Sequence, residues 1–197
     1  MLALKKIAVT GGLASGKSTV CALLKKRGAY VVSADEIVHQ LLSPHTPLGQ
    51  QVIKLLGSDI VNDHQLDRKK IARIVFSNPQ KLEALEKLLH PQVLNEIETA
   101  YQKIKQRSDY RCFVAEVPLL YEIGAEKRFD LVIGVVADPA LCRARMKTHN
   151  DYSVEDYDKR MQRQQTNKAD RADVVILNNG SIENLSDQVN QILAKYL

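Results

Sequence analysis

Apolar residues in this chain gather in five short runs: Ile7 to Thr10, Tyr30 to Ser33, Cys112 to Val117, Leu131 to Val136 and Val174 to Leu177. Continuous apolar runs of this length belong to strands covered on both faces. Each is followed by a turn or by apolar positions at helical spacing. The pattern therefore predicts the α/β class, with a doubly wound five-stranded parallel sheet whose ligands lie beyond the carboxyl ends of the strands. The closing set Leu185, Val189, Ile192, Leu193 and Tyr196 predicts an amphipathic helix packed on that sheet.

The gap between the second and third runs is too long for one crossover helix. Ser43-Pro44-His45-Thr46-Pro47 breaks the chain, and Leu66-Asp67-Arg68 then opens a helical pattern carrying Ile71, Ile74 and Val75. After Asn78-Pro79, Leu82, Leu85, Leu88 and Leu89 have helical spacing. Beyond His90-Pro91, read as a turn, so do Val93, Leu94, Ile97, Tyr101 and Ile104. This is a helical insertion in the sheet domain, suited to holding a second substrate. The stretch 143–171 is polar and basic, with Arg143, Arg145, Lys147, Lys159, Arg160, Arg163, Lys168 and Arg171. Ser153 and Asp156 make an N-cap pair for a second helix within it. It reads either as a solvated charged surface or as a lid that folds arginines over a triphosphate.

The chemistry begins in the first strand-to-helix turn. Gly11-Gly12-Leu13-Ala14-Ser15-Gly16-Lys17-Ser18 is a full phosphate-binding loop, set between the run Ile7-Ala8-Val9 and the helical stretch from Thr19 to Leu24. Glycines let successive N–H groups turn toward an anion, and the following helix adds its positive dipole end. Lys17 adds a charge toward the β and γ phosphates, and Ser18 a hydroxyl for magnesium. Strand order in such a sheet brings Asp35, Glu116 and Asn178-Asn179-Gly180 toward the same crevice.

Composition narrows the partners. Net charge is +5 over 197 residues, yet there is no tryptophan and only three phenylalanines, so base-stacking platforms are not expected and nucleic acid is excluded as a partner. Binding of polyanionic small molecules explains the excess. No run is long enough to span a membrane, and the apolar N-terminus feeds the loop, so no cleaved leader is expected. Cys21, Cys112 and Cys142 are scattered in apolar surroundings, which suggests buried thiols in a reducing cytoplasm. The expected state is a cytoplasmic monomer or weak homo-oligomer.

Two loop chemistries compete, a nucleotide switch and a small-molecule kinase. Asn167-Lys168-Ala169-Asp170 matches a guanine-reading signature, but a polar helical stretch precedes it, the strand comes after it, and no Asp-x-x-Gly occurs. It is read as chance. A kinase needs a group to orient the acceptor hydroxyl and cations to spread over the transferring oxygens. Asp35, directly after the second run, suits the first task, although Asp there is also a common helix N-cap.

Residues 10–19 with Ser33-Ala34-Asp35, Leu66-Asp67-Arg68 with Val75-Phe76, Leu85-Glu86 leading to His90-Pro91, residues 116–122, Ala172-Asp173 and Asn178-Asn179-Gly180 together resemble dephospho-coenzyme A kinase, in that family's order over nearly the whole chain. The resemblance implies a P-loop kinase sheet of strand order 2-3-1-4-5. It implies a nucleotide core over 1–35, 108–142 and 172–197, a helical coenzyme A-binding part over 36–107 and a lid over 143–171. It also implies transfer of phosphate from ATP, with Mg²⁺, to the ribose 3′-hydroxyl of dephospho-coenzyme A. Another nucleoside or nucleotide kinase is the alternative. Catalytic roles then fall to Lys17, Asp35 and Arg145. ATP would be held by Gly12, Leu13, Ala14, Ser15, Gly16, Lys17, Ser18, Thr19 and Arg145, with Asn178, Asn179 and Gly180 bordering its adenine. The acceptor would meet Asp35, Arg68, His90, Pro118 and Leu120, while Arg160 and Gln164 would support the closed lid. Two positions depart from the family pattern. Ser33 stands where many members have Asp, and His149 where the lid commonly has a second arginine.

Overall fold

The computed structural model describes residues 3–63, 65–148 and 168–197. In chain order they form β1 (Lys6–Gly11), α1 (Lys17–Lys26), β2 (Ala29–Ser33), α2 (Ala34–Leu41), α3 (Pro47–Leu56), β3 (Val61–Asn62), β4 (Gln65–Leu66), α4 (Arg68–Phe76) and α5 (Pro79–Ile104). There follow β5 (Cys112–Glu116), β6 (Leu131–Val136), α6 (Pro139–Thr148), α7 (Lys168–Arg171), β7 (Val174–Leu177) and α8 (Ile182–Tyr196). The chain divides into one unit of Met1–Ser33 with Tyr101–Leu197, and another of Ala34–Ala100.

In the first unit a five-stranded parallel sheet has the order β2-β5-β1-β6-β7. This is the expected 2-3-1-4-5 once the small β3–β4 hairpin is set aside. The apolar runs of β1, β5 and β6 are buried on both sheet faces, whereas Val175 and Leu177 leave one face of the edge strand β7 exposed. Ile7, Val9, Val114, Ile133 and Val135 share a core with Val20 and Leu24 of α1 and Leu185, Val189 and Leu193 of α8. β1 runs on to Gly11, opposite Val135, while β2 and β5 stop with Ser33 paired to Glu116. The central strand thus carries its turn past its β2-side neighbours. At the sheet edge, the Gln188 side chain accepts from Leu177 N at 2.9 Å and donates to Leu177 O at 2.9 Å, occupying backbone groups that an edge strand leaves open. The three cysteines are buried free thiols, and burial pushes that of Cys112 up to about 11.

The second unit has its own core of Val52, Ile60, Leu66, Ile71, Val75 and Leu85. Its helices start at readable caps. Thr46 Oγ1 accepts from Gly49 N at 2.9 Å with Pro47 as the first residue of α3. Asp67 Oδ1 accepts from Lys69 N at 2.9 Å and Lys70 N at 3.0 Å at the start of α4. The helix α3 and the antiparallel β3–β4 hairpin occupy the segment between the break at 43–47 and α4.

The turn expected at His90-Pro91 does not form. α5 runs unbroken for 26 residues with Pro91 inside it. Proline removes one i→i−4 hydrogen bond and crowds the preceding turn, but Leu85, Val93 and Ile97 are all buried along the helix. Their burial outweighs the local penalty. Pro91→Ala is expected to stabilise the protein by roughly 1–3 kcal/mol, seen as a higher urea midpoint at unchanged slope.

Candidate active site

The loop between β1 and α1 is shaped by two glycines that nothing else can replace. Gly11 has φ +152° and a Cβ there would strike the Val135 carbonyl of β6; Gly16 has φ +98° and a Cβ would strike the side-chain amide of Asn178. Ala14 also takes a positive φ of 57°, and Ser15 N donates to Gly12 O at 3.3 Å, so the chain turns tightly over Gly12–Ser15. Gly16 caps α1 without a side-chain hydrogen bond. The first N–H groups of a helix have no intrahelical partner, and here no cap side chain serves them; an anion is their natural acceptor.

Lys17 is buried, and its Nζ donates to Gly12 O at 2.9 Å across the loop. Ser18 is exposed, and its Oγ donates to Glu116 Oε1 at 2.9 Å. Glu116 ends β5, so two residues 98 positions apart meet at the strand ends. The sequence reading placed Glu116 near the crevice but assigned it no role. A hydroxyl beside a carboxylate is a hard-oxygen pair that suits Mg²⁺ when phosphates and water complete its shell. Among the described residues no group of three or more His, Cys, Asp or Glu forms a cage. On the buried face of α1, burial first and then the Glu116 charge drive the Cys21 thiol far above its ordinary range. It is no nucleophile.

Asn178 and Arg145 brace the loop from the β6–β7 side. Asn178 Nδ2 donates to Ser15 O at 2.8 Å in a buried contact, and Arg145 Nη2 donates to Asn178 O at 2.9 Å. Arg145 Nη1 also reaches Ala14 O at 3.5 Å. Asn179 Oδ1 accepts from Asp138 N at 2.7 Å, and Gly180 is exposed. The Asn178 side chain therefore supports the loop from behind instead of facing outward, which leaves Asn179 and Gly180 as the exposed members of that set. Leu13 and Ala14 pack on Cys142 and Met146 of α6, so the arginine's helix and the loop share a small apolar contact.

Beyond β5, Pro118 O accepts from Thr10 Oγ1 at 3.3 Å and from Lys168 Nζ at 2.6 Å. Leu120 is wholly buried at 0% exposure. Lys168 opens α7 and is itself buried, which disposes of the guanine-reading match around it. Neither reading of the basic stretch 143–171, solvated surface or lid, singles out Lys168 as a buried residue.

The insertion's candidates lie in the second unit. Asp35 is exposed and is the second residue of α2, inside the first turn. A cap residue has non-helical backbone, so Asp35 is not the N-cap. Arg68, exposed at the start of α4, meets His39 Nδ1 through its Nη2. His90 is half-buried in α5, where desolvation lowers its pKa against the opposing effect of Glu86. Arg160, Gln164, His149, Ser153 and Asp156 lie outside the described residues.

The model of the dephospho-CoA kinase family matches residues 5–184. A dephospho-CoA kinase of Protochlamydia amoebophila is 48% identical over 195 residues, covering 98% of this chain and 96% of the relative. A crystal structure of a Thermus thermophilus protein superposes with a TM-score of 0.83 at 30% identity, covering 99% of each chain. Dephospho-CoA kinase from Campylobacter jejuni superposes with a TM-score of 0.71 at 25% identity, covering 96% of each. With a nucleotide-type loop at the strand ends and likeness along nearly its whole length, this chain belongs to the dephospho-CoA kinase family.

Proposed function

We propose that the chain transfers the γ-phosphoryl group of ATP to the ribose 3′-hydroxyl of dephospho-coenzyme A, giving coenzyme A and ADP. The observation that carries this reading is the loop itself, with Lys17 aimed across it and Ser18 joined to Glu116, in a chain of this family. The ribose oxygen bonds to the γ phosphorus while the bond to the β–γ bridging oxygen breaks and ADP leaves. The hydroxyl proton passes to Asp35, late, because the transition state is loose and nucleophile activation contributes little.

Loop amides, the start of α1 and Lys17 hold the β and γ phosphates. Ser18, with Glu116 behind it, holds magnesium, which when bound neutralises charge on the phosphate oxygens. Arg145 faces the charge that develops on the transferring group. Asn179 and Gly180 border the adenine. Asp35, Arg68, His90 and Pro118 serve the acceptor, and 36–107 and 143–171 act as acceptor-binding part and lid, with Arg160 and Gln164 holding the lid closed. The excess of basic residues suits two polyphosphate-bearing ligands.

The deciding assay offers dephospho-coenzyme A, AMP, CMP and adenosine side by side and measures ADP release. Turnover confined to dephospho-coenzyme A is expected; a preference for one of the others makes this a different nucleotide or nucleoside kinase, and slow hydrolysis indifferent to all four makes it a switch. Asp35→Asn is expected to lower kcat by about 10²-fold with ATP affinity little changed. Near-normal turnover in that variant removes Asp35 from the chemistry.

A further inference from the structure

Lys168 carries an unexplained charge in the first unit. Its side chain is 5% exposed, and its ammonium sits between Pro118 O at 2.6 Å and Glu122 Oε1 at 2.9 Å, Glu122 being 16% exposed. Taking an ammonium out of water is costly even when it is paired, and a residue needed only to fill space would be apolar. Its position matters too, because the turn it grips leaves the carboxyl end of β5, the side of an α/β sheet where ligands bind.

That turn is tied directly to the magnesium pair. Glu116, which meets Ser18, precedes Pro118 by two residues, and Val117 N still bonds Val9 O of β1 at 2.9 Å. Pro118 O takes a second hydrogen bond from Thr10 Oγ1, one residue before the phosphate loop. Three chain segments thus meet at a single carbonyl: the end of β1, the exit of β5 and the start of α7. Arg171, one turn further along α7, holds the same stretch at its other end through Glu126 Oε1 at 2.6 Å and the Tyr121 ring at 4.2 Å. α7 is therefore anchored independently of Lys168, so the ammonium is held where it is by more than its own contacts.

We propose that Lys168 is a positioning residue for phosphoryl transfer: by pinning Pro118 and Glu122 it holds the Glu116 carboxylate in register with Ser18, and so sets the site's response to magnesium. The proposal rests on the kinase reading above for its effect on turnover, and on the loop geometry alone for its effect on binding. Lys17 has its own hydrogen bond to Gly12 O, so nucleotide binding without metal is expected to change little when this contact is removed.

The test compares wild type, Lys168→Met and Lys168→Arg by calorimetric titration with a non-hydrolysable ATP analogue, in magnesium and in EDTA, alongside kcat with dephospho-coenzyme A. Outer-shell partners of metal sites change affinity by about 10–100-fold. Lys168→Met is expected to lose about tenfold of the magnesium-dependent gain in affinity and about tenfold in kcat, with EDTA affinity within about twofold of wild type. Lys168→Arg should recover most of both, since it restores the charge. A folded Lys168→Met that keeps its magnesium response overturns the proposal, as does one that loses affinity equally in magnesium and in EDTA. Should Lys168→Met not fold, Glu122→Gln decides. It weakens the clamp without emptying it, so a loss of about threefold in the magnesium response supports the role and an unchanged response overturns it. A wild-type enzyme that binds nucleotide but leaves dephospho-coenzyme A untouched refutes the acceptor reading instead, and the titrations still report on Lys168.

Discussion

Lys17→Ala is expected to lower kcat/KM by about 10³-fold while leaving the fold intact. α1 stays anchored in that variant because Val20, Cys21, Leu23 and Leu24 supply its buried face. What is lost is a charge held at one place. Burial of the side chain and its hydrogen bond to Gly12 O at 2.9 Å hold the ammonium across the loop mouth, where a phosphate chain would lie. A preorganised cation acts on developing charge without reorganising at the moment of transfer, which is why its removal costs more in rate than in binding. Circular dichroism matching wild type, together with the rate loss, is the expected result. An intact rate would mean that the loop amides alone hold the triphosphate.

Arg145→Ala is expected to cost about 10³-fold in kcat, the range seen when an arginine that meets a transferring phosphoryl group is removed. Its guanidinium already bonds Asn178 O at 2.9 Å and Ala14 O at 3.5 Å, so it stands at the rim of the loop and not out in solvent. Those contacts brace the loop, so a smaller rise in KM for ATP accompanies the loss. The ratio is diagnostic: a fall in kcat greater than the rise in KM marks transition-state stabilisation, whereas a change in KM alone marks a ground-state grip. Arg145→Lys is expected to recover little, because a shorter, point-like ammonium lacks the fixed planar fork whose two Nη groups reach Asn178 O and Ala14 O separately.

Much of this enzyme can be read along the chain. The central strands stand out because burial on both faces needs continuous apolar runs, and β7 carries such a run although Val175 and Leu177 are exposed. Their ends shift by only a residue, as where β1 begins at Lys6 and closes at Gly11. The loop is legible because its backbone demands glycine at Gly11 and Gly16, and composition therefore reports conformation. Elsewhere local signals misled. Pro91 reads as a break, and the helix continues because buried side chains on either side of it outweigh one lost hydrogen bond. At the start of α3 the break signal Ser43-Pro44 stands directly before the start signal Thr46-Pro47, and the helix follows the second because Thr46 Oγ1 caps Gly49 N.

The amino-acid sequence by itself determined the class of fold, the phosphate loop and the family, because each rests on residue type at fixed local spacing. Tertiary structure alone decided which side chains serve that loop. Glu116 meets Ser18 across 98 residues, Asn178 reaches Ser15 O across 163, and Lys168 is buried against Pro118 across 50. No local pattern encodes such pairs, since whether a charged side chain faces water or a carbonyl depends on what the rest of the sheet brings alongside it.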